Sequence, residues 1–241
     1  MQANVKGMPV SLRGTIKSGR GTPLPPVFDL SFSANNFKTQ ALSKGLYLDD
    51  AAAVFSGKVT GTALEPKIEG AFNCNYLYAA PLQINSLQGN YVWDAGKMVL
   101  KNAVAMSAGA KVSLEGFLIP SKGDYRFSIA GNNLDAAQMT DNRVTGVLRM
   151  KVDVTGTDRA DSATGLGEFA LENGRYFPSE GKLRSEEVRY IEGNIVILNG
   201  QFGTKDAVMK IGRNKYSISV VAGDKDVAEV RIGKKLSSSL F

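Results

Sequence analysis

The chain has 241 residues, 43% hydrophobic and 22% charged, with a net charge of +6 and a pI near 9.3, and is long enough to bury a substantial core. It contains no histidine and one cysteine, Cys74, which excludes an intrachain disulfide, a Cys/His metal cluster, and the usual Ser-His-Asp, Cys-His and zinc-water catalytic systems. The 29 basic and 23 acidic side chains are scattered, as on an ordinary solvated surface, with weak attraction to anionic head groups or an acidic partner as the sharper alternative.

Residues Met1 to Arg20 lack the basic segment and apolar core of a signal peptide, and no apolar run is long enough to cross a bilayer as a helix. The chain opens almost directly into a strand, Val10 to Ile16, so it reads as a piece of a longer protein. Pro23, Pro25 and Pro26 make an extended turn. A second strand starts at Val27, with Phe28, Leu30 and Phe32 on one face and Asp29, Ser31 and Ser33 on the other, the period of a half-buried strand. Asn35 or Asn36 is placed to cap a helical turn over Asn36 to Ser43, and Leu134 to Thr140 reads the same way. Gly45 ends the first of these turns and Leu46 to Leu48 returns to strand.

Strands follow over Ala51 to Gly61, carrying Phe55 and Val59, and from Pro66 to Cys74, with Ile68, Phe72 and Cys74 on one side. Cys74 reads as a small core residue. Leu82 to Trp93, including Tyr91, joins Met98 to Val104 across an Asp94-Ala-Gly96 hairpin. The most regular stretch comes next: strands Lys111 to Gly116 and Tyr125 to Ala130 joined at Pro120 to Gly123, then Val147 to Val154. Tyr125, Phe127 and Ile129 share one face here, as do Leu148, Met150, Val152 and Val154. Gly165 to Leu171 is a further strand, Glu192 to Asn199 and Lys205 to Ile211 form a hairpin across Asn199 to Gly203, and Tyr216 to Val221 and Val227 to Ile232 are the last strands.

Much of this is repeated. Val10-Ser-Leu-Arg-Gly14 matches Val112-Ser-Leu-Glu-Gly116 at an offset of 102, and Phe28-Asp-Leu-Ser-Phe-Ser matches Tyr125-Arg-Phe-Ser-Ile-Ala at 97. Asn35-Asn36-Phe37 matches Asn132-Asn133-Leu134 at 97, and Lys58-Val-Thr-Gly61-Thr62 matches Asp153-Val-Thr-Gly156-Thr157 at 95. Leu87-Gln-Gly-Asn-Tyr is similar to Ile191-Glu-Gly-Asn-Ile. The period exceeds that of the familiar solenoids. It predicts one continuous β domain over 1–241, with a partial unit at 1–50 and further units at 51–145 and 146–241, each adding strands to a shared sheet.

The residues point away from chemistry. Asp49-Asp50 and Glu186-Glu187 are adjacent on strands, so the members of each pair face opposite ways and cannot converge as a glycosidase pair. Gly165-Leu-Gly-Glu-Phe-Ala170 imitates a dinucleotide fingerprint, but it continues as a strand instead of opening a helix. No basic patch is interleaved with aromatics as base stacking requires. What remains is a one-sided apolar face on strand after strand, with no long amphipathic helix to cover it. Two facing sheets would make these residues plain core, and one curled sheet would make them a groove; the residues alone favour the facing sheets.

Gly-Lys-Val-Thr-Gly61-Thr with Pro66-Lys-Ile-Glu-Gly70, the Asn132-Asn-Leu-Asp-Ala-Ala segment feeding Thr145-Gly-Val-Leu-Arg-Met-Lys-Val-Asp-Val-Thr-Gly156-Thr, and Val230-Arg-Ile-Gly-Lys-Lys-Leu-Ser resemble the C-terminal region of the TamB family. This is the translocation and assembly module group of diderm bacteria, within the AsmA-like proteins. The resemblance covers most of the chain and rests on the order of loose motifs. It implies an all-β, elongated, curled antiparallel sheet (a β-taco) with an open apolar groove and one or two short helical turns. It further implies a non-enzymatic bridge across the periplasm, anchored in the inner membrane by a segment absent from these residues. Such a bridge conducts phospholipid acyl chains and supports outer-membrane biogenesis and protein secretion, with a TamA-like barrel assembly protein as partner. No cofactor, metal or nucleic acid is implied. The groove would be lined by Phe28, Leu30, Phe32, Phe55, Val59, Tyr91, Trp93, Tyr125, Phe127, Ile129, Leu148, Met150, Val152 and Val154. The alternative is a scaffold that offers sheet edges and apolar surface to unfolded outer-membrane proteins by strand addition.

Overall fold

The computed structural model describes residues 2–5, 8–18, 24–38, 52–79, 82–94, 96–157, 159–177, 185–222 and 228–236. Short turns between strands of alternating apolarity let each strand satisfy its backbone groups against the next. The strands are β1 (Gln2–Val5), β2 (Met8–Lys17), β3 (Val27–Lys38), β4 (Ala52–Thr62), β5 (Pro66–Ala79), β6 (Leu82–Asp94), β7 (Lys97–Ser107) and β8 (Ala110–Ile119). After β9 (Asp124–Asp135) comes a one-turn helix, α1 (Ala136–Met139), and then β10 (Val144–Gly156), β11 (Thr164–Tyr176), β12 (Glu186–Leu198), β13 (Gln201–Ile211), β14 (Asn214–Ala222) and β15 (Ala228–Leu236). They form one fifteen-stranded sheet in strict chain order, open and curled, with antiparallel neighbours throughout.

Facing sheets, which the residues alone favoured, are therefore not the architecture. A single sheet closes its apolar face by bending, and the sequence contains the devices that bend it. Ser86, Asn102, Asn133, Asn173 and Asp206 sit inside strands with φ between 52° and 61°. Each inserts an extra residue, so the inward side chains step by three: Ile84 to Leu87, Leu100 to Ala103, Gly131 to Leu134, Leu171 to Gly174, and Thr204 to Ala207. Such bulges sharpen the local twist. Without them, each strand would turn its second half inside out.

The bulges also correct the sequence reading of the asparagine pairs. β3 runs on through Lys38 with a register break between Ala34 and Phe37, so Asn36 to Lys38 are strand and not the start of a helix. The rest of that expected turn, Gly45, and the strand Leu46 to Leu48 fall outside the described residues. In the matching segment, Asn133 (φ 61°) takes the left-handed conformation that Asn tolerates better than other side chains. β9 continues to Asp135, which caps α1 by accepting from the Ala137 N–H at 3.0 Å. Buried Thr140 then closes the loop: its Oγ1 lies 2.8 Å from Ala136 O and 3.0 Å from Val144 O, and accepts from the Val144 N–H at 3.0 Å. The β12–β13 turn is tighter than expected, with Asn199 and Gly200 alone at φ 52° and 75°.

Candidate functional site

Register places all fourteen expected groove residues on the concave face. Phe32 opposes Gly57, Leu30 opposes Val59, and Phe28 opposes Gly61. Ile68 links Val59 to Trp93, and Phe127 and Ile129 oppose Val154 and Val152. The residues do not, however, play one part. Phe28, Leu30 and Val59 are half-buried near one end of the sheet, while Phe55, Tyr91, Tyr125, Phe127, Leu148, Met150 and Val152 belong to a packed core.

Across β3–β11 the aromatic rings fill the concavity. Phe55 stacks on Phe72 with centroids 6.0 Å apart and meets Tyr91 edge-on at 5.7 Å; Tyr125 stacks on Phe127 at 5.7 Å. These rings fit because glycine sits directly across the strand from them. Phe32 faces Gly57, Phe72 faces Gly89, Tyr91 faces Gly70, Phe127 faces Gly116, Tyr125 faces Gly156, and Phe169 faces Gly193. At each of these glycines a Cβ would press on the opposing ring. The arrangement is itself repeated. A Cβ at Gly89 would lie 2.7 Å from Ala103 Cα and 3.1 Å from the Phe72 ring, and one at Gly193 would lie 2.7 Å from Ala207 Cα and 3.1 Å from the Phe169 ring.

Tyr91 shows how dry this half is. Its hydroxyl donates to Ser56 O at 3.3 Å, and burial pushes its pKa up to about 12; burial raises that of Tyr125 as well.

From β10 to β15 the groove is different. A narrow cleft runs between α1 and the last strands, walled by Met139, Val144, Leu148, Met150, Phe169, Leu171, Ile191, Ile195, Phe202, Ile218, Val220 and Val230. Its volume is about 70 Å³. That is well below the roughly 300–1,000 Å³ usual for preformed small-molecule sites, and makes it a slender lane. Thr140 and Thr204 are its polar members, and both hydroxyls are already engaged, Thr204 Oγ1 by the Val220 N–H at 2.8 Å.

Of the fourteen expected residues only Leu148 and Met150 wall this cleft. Sequence reasoning missed its other walls, including Ile191, Ile195, Phe202, Ile218 and Val220. The signal for two of them, Ile191 and Ile195, was present in the match of Ile191-Glu-Gly193-Asn-Ile195 to Leu87-Gln-Gly89-Asn-Tyr91.

On the convex face a shallower hollow over β4–β7 is lined by Ser56, Asn73, Gln88, Asn90 and Asn102 and is open to solvent. Cys74 is buried at 2% exposure. Among the described residues no three His, Cys, Asp or Glu side chains gather as metal ligands, and no helix is long and apolar enough to cross a membrane. Comparison of the chain with protein-family models, with curated proteins and with solved structures returns no match.

Proposed function

We propose that this chain is a non-enzymatic segment of a cell-envelope bridge that conducts phospholipid acyl chains along its concave face between inner and outer membranes. The observation that carries the reading is the slender apolar cleft of β10–β15, continuous with the apolar face of the remaining strands. Each methylene taken from water gains about 0.8 kcal/mol, and a lane without unpaired polar side chains presents no fixed stop along its length. For the full-length protein, the resemblance to the TamB family implies a periplasmic bridge with an inner-membrane anchor and a TamA-like outer-membrane partner.

Photocrosslinkers at Val220 and Phe202, which face the cleft, test this against one at Ser219, on the opposite face of the same strand. Phospholipid adducts at the first two and none at Ser219 are expected, read by lipid mass spectrometry after expression in a diderm bacterium. Equal labelling at all three positions, or none at any, would remove the conduit.

A second reading rests on the sheet edges. β1 and β15 are each paired along one side only among the described residues, which leaves edges open to strand addition by an unfolded outer-membrane protein. Binding of extended β-rich peptides, blocked by proline substitutions in β15 and indifferent to lipid, would favour it.

A further inference from the structure

One rim of the β13–β15 strands is locally basic. The β13–β14 turn and the adjoining end of β15 carry Arg213, Lys215, Lys234 and Lys235, all exposed. The described residues from Ala207 to Ala222 include no acidic side chain. Among the described residues none of these four cations meets a carboxylate at ion-pair distance. Glu186 and Glu187 on the same rim open β12, where Glu187 opposes Arg175.

Register fixes how this lip sits relative to the cleft. Lys235 pairs with Tyr216, which pairs with the fully buried Met209, so Lys235 shares the concave face. Lys215, which pairs with Lys210 and alternates with Tyr216, faces the convex side, while Arg213 lies in the turn that opens the strand carrying Ile218, a wall of the cleft. α1 closes the same rim from the other side, with Met139 against the cleft.

Lysines on an edge strand often do no more than discourage edge pairing. That account covers Lys234 and Lys235 on β15, but Arg213 lies one strand in, at the rim that α1 closes from the other side. Greasy walls under a cationic lip complement a molecule with an acyl chain and an anionic head.

We propose that the β10–β15 cleft is a binding site for one anionic amphiphile, with its acyl chain between α1 and β15 and its phosphate against Arg213 and Lys235. The inference rests on the conduit reading and adds head-group selection to it. Zwitterionic lipids, whose own ammonium competes at the lip, would pass with less retention.

The test is calorimetric titration of the full chain, below micelle-forming concentrations, with monoacyl phosphatidylglycerol and with monoacyl phosphatidylcholine of the same chain length. Glycerol 3-phosphate serves as a head-group probe without a chain. At low salt the anionic amphiphile should bind about tenfold tighter than the zwitterionic one. The gap should close at high salt and in Arg213→Ser/Lys235→Ser, while Lys215→Ser, on the convex face, should keep it. Val220→Trp, which narrows the lane and leaves the lip intact, should weaken both amphiphiles.

Equal affinity of the wild type for the two amphiphiles, or a gap that survives the double substitution, would overturn head-group selection and leave the conduit standing. Glycerol 3-phosphate binding as tightly as the amphiphile would reduce the site to a phosphate contact and overturn the proposal. Binding of neither amphiphile would remove both this site and the conduit.

Discussion

At the scale of single residues, the molecule is built on a contact between a large flat side chain and no side chain at all. Tyr91 illustrates it: the ring lies across Gly70 and against Phe55, and only the hydroxyl reaches a polar atom, Ser56 O at 3.3 Å. That burial makes stability depend on pH in a defined window. An unfolded tyrosine loses its proton near pH 10, whereas Tyr91 holds its proton to about 12 in the folded protein. Between those values the unfolded chain binds fewer protons than the folded one, so the contribution is whole below pH 10 and is lost as pH rises towards 12. Tyr91→Phe should cost about 1 kcal/mol at pH 8 through the lost hydrogen bond. Its deficit relative to wild type should shrink between pH 10 and 12, because phenylalanine has no proton to lose. Urea midpoints for both proteins across that range check it, and a constant deficit would mean that the phenol is not held in a dry environment.

At the scale of elements, alternation made the strands legible and bulges limited how far it could be followed. Phe28, Leu30 and Phe32, or Leu148 to Val154, keep strict period two and fall on the concave face as the pattern requires. Asn132-Asn133 could not be read correctly from capping preference, because the feature that makes Asn a good cap, its tolerance of unusual backbone, also suits it to a bulge. What separates the two is the apolar spacing: inward residues three apart around an Asn, Asp or Ser, as in Leu100 to Ala103 and Thr204 to Ala207, mark an extra residue in a strand. The division between an aromatic-filled half and an open half was not legible, since it depends on which ring meets which glycine across the sheet. The bulge reading makes a sharp contrast at Asn133. Asn133→Gly should be close to neutral, while Asn133→Val places a β-branched residue at φ 61° and should lose about 1–2 kcal/mol. Chemical denaturation of the two variants checks the difference. A valine variant as stable as the glycine variant would show that this backbone conformation is not required.

At the scale of the whole molecule, contacts follow chain order: each strand packs chiefly on the strand before and the strand after it, and α1 on β10. Nothing in that pattern forces distant parts to unfold together, and stability should resemble a sum of local units and their interfaces, as in repeat proteins. The chain supplies its own reporter for the first half, since Trp93 is the only tryptophan and lies in β6 against Met98. In the second half, Met209 is fully buried between Ile191 and Tyr216. Met209→Ala should remove about 2–5 kcal/mol locally. Hydrogen exchange over β12–β14 should then rise sharply, while the denaturation midpoint seen by Trp93 fluorescence stays near that of the wild type. If the Trp93 midpoint falls along with the exchange protection of β12–β14, the sheet unfolds as one cooperative unit. The cleft could not then open without loosening the aromatic half. Independent behaviour would instead let β10–β15 widen around a passing chain while the ring-packed strands hold their shape, which is the mechanical condition a conduit of this form needs.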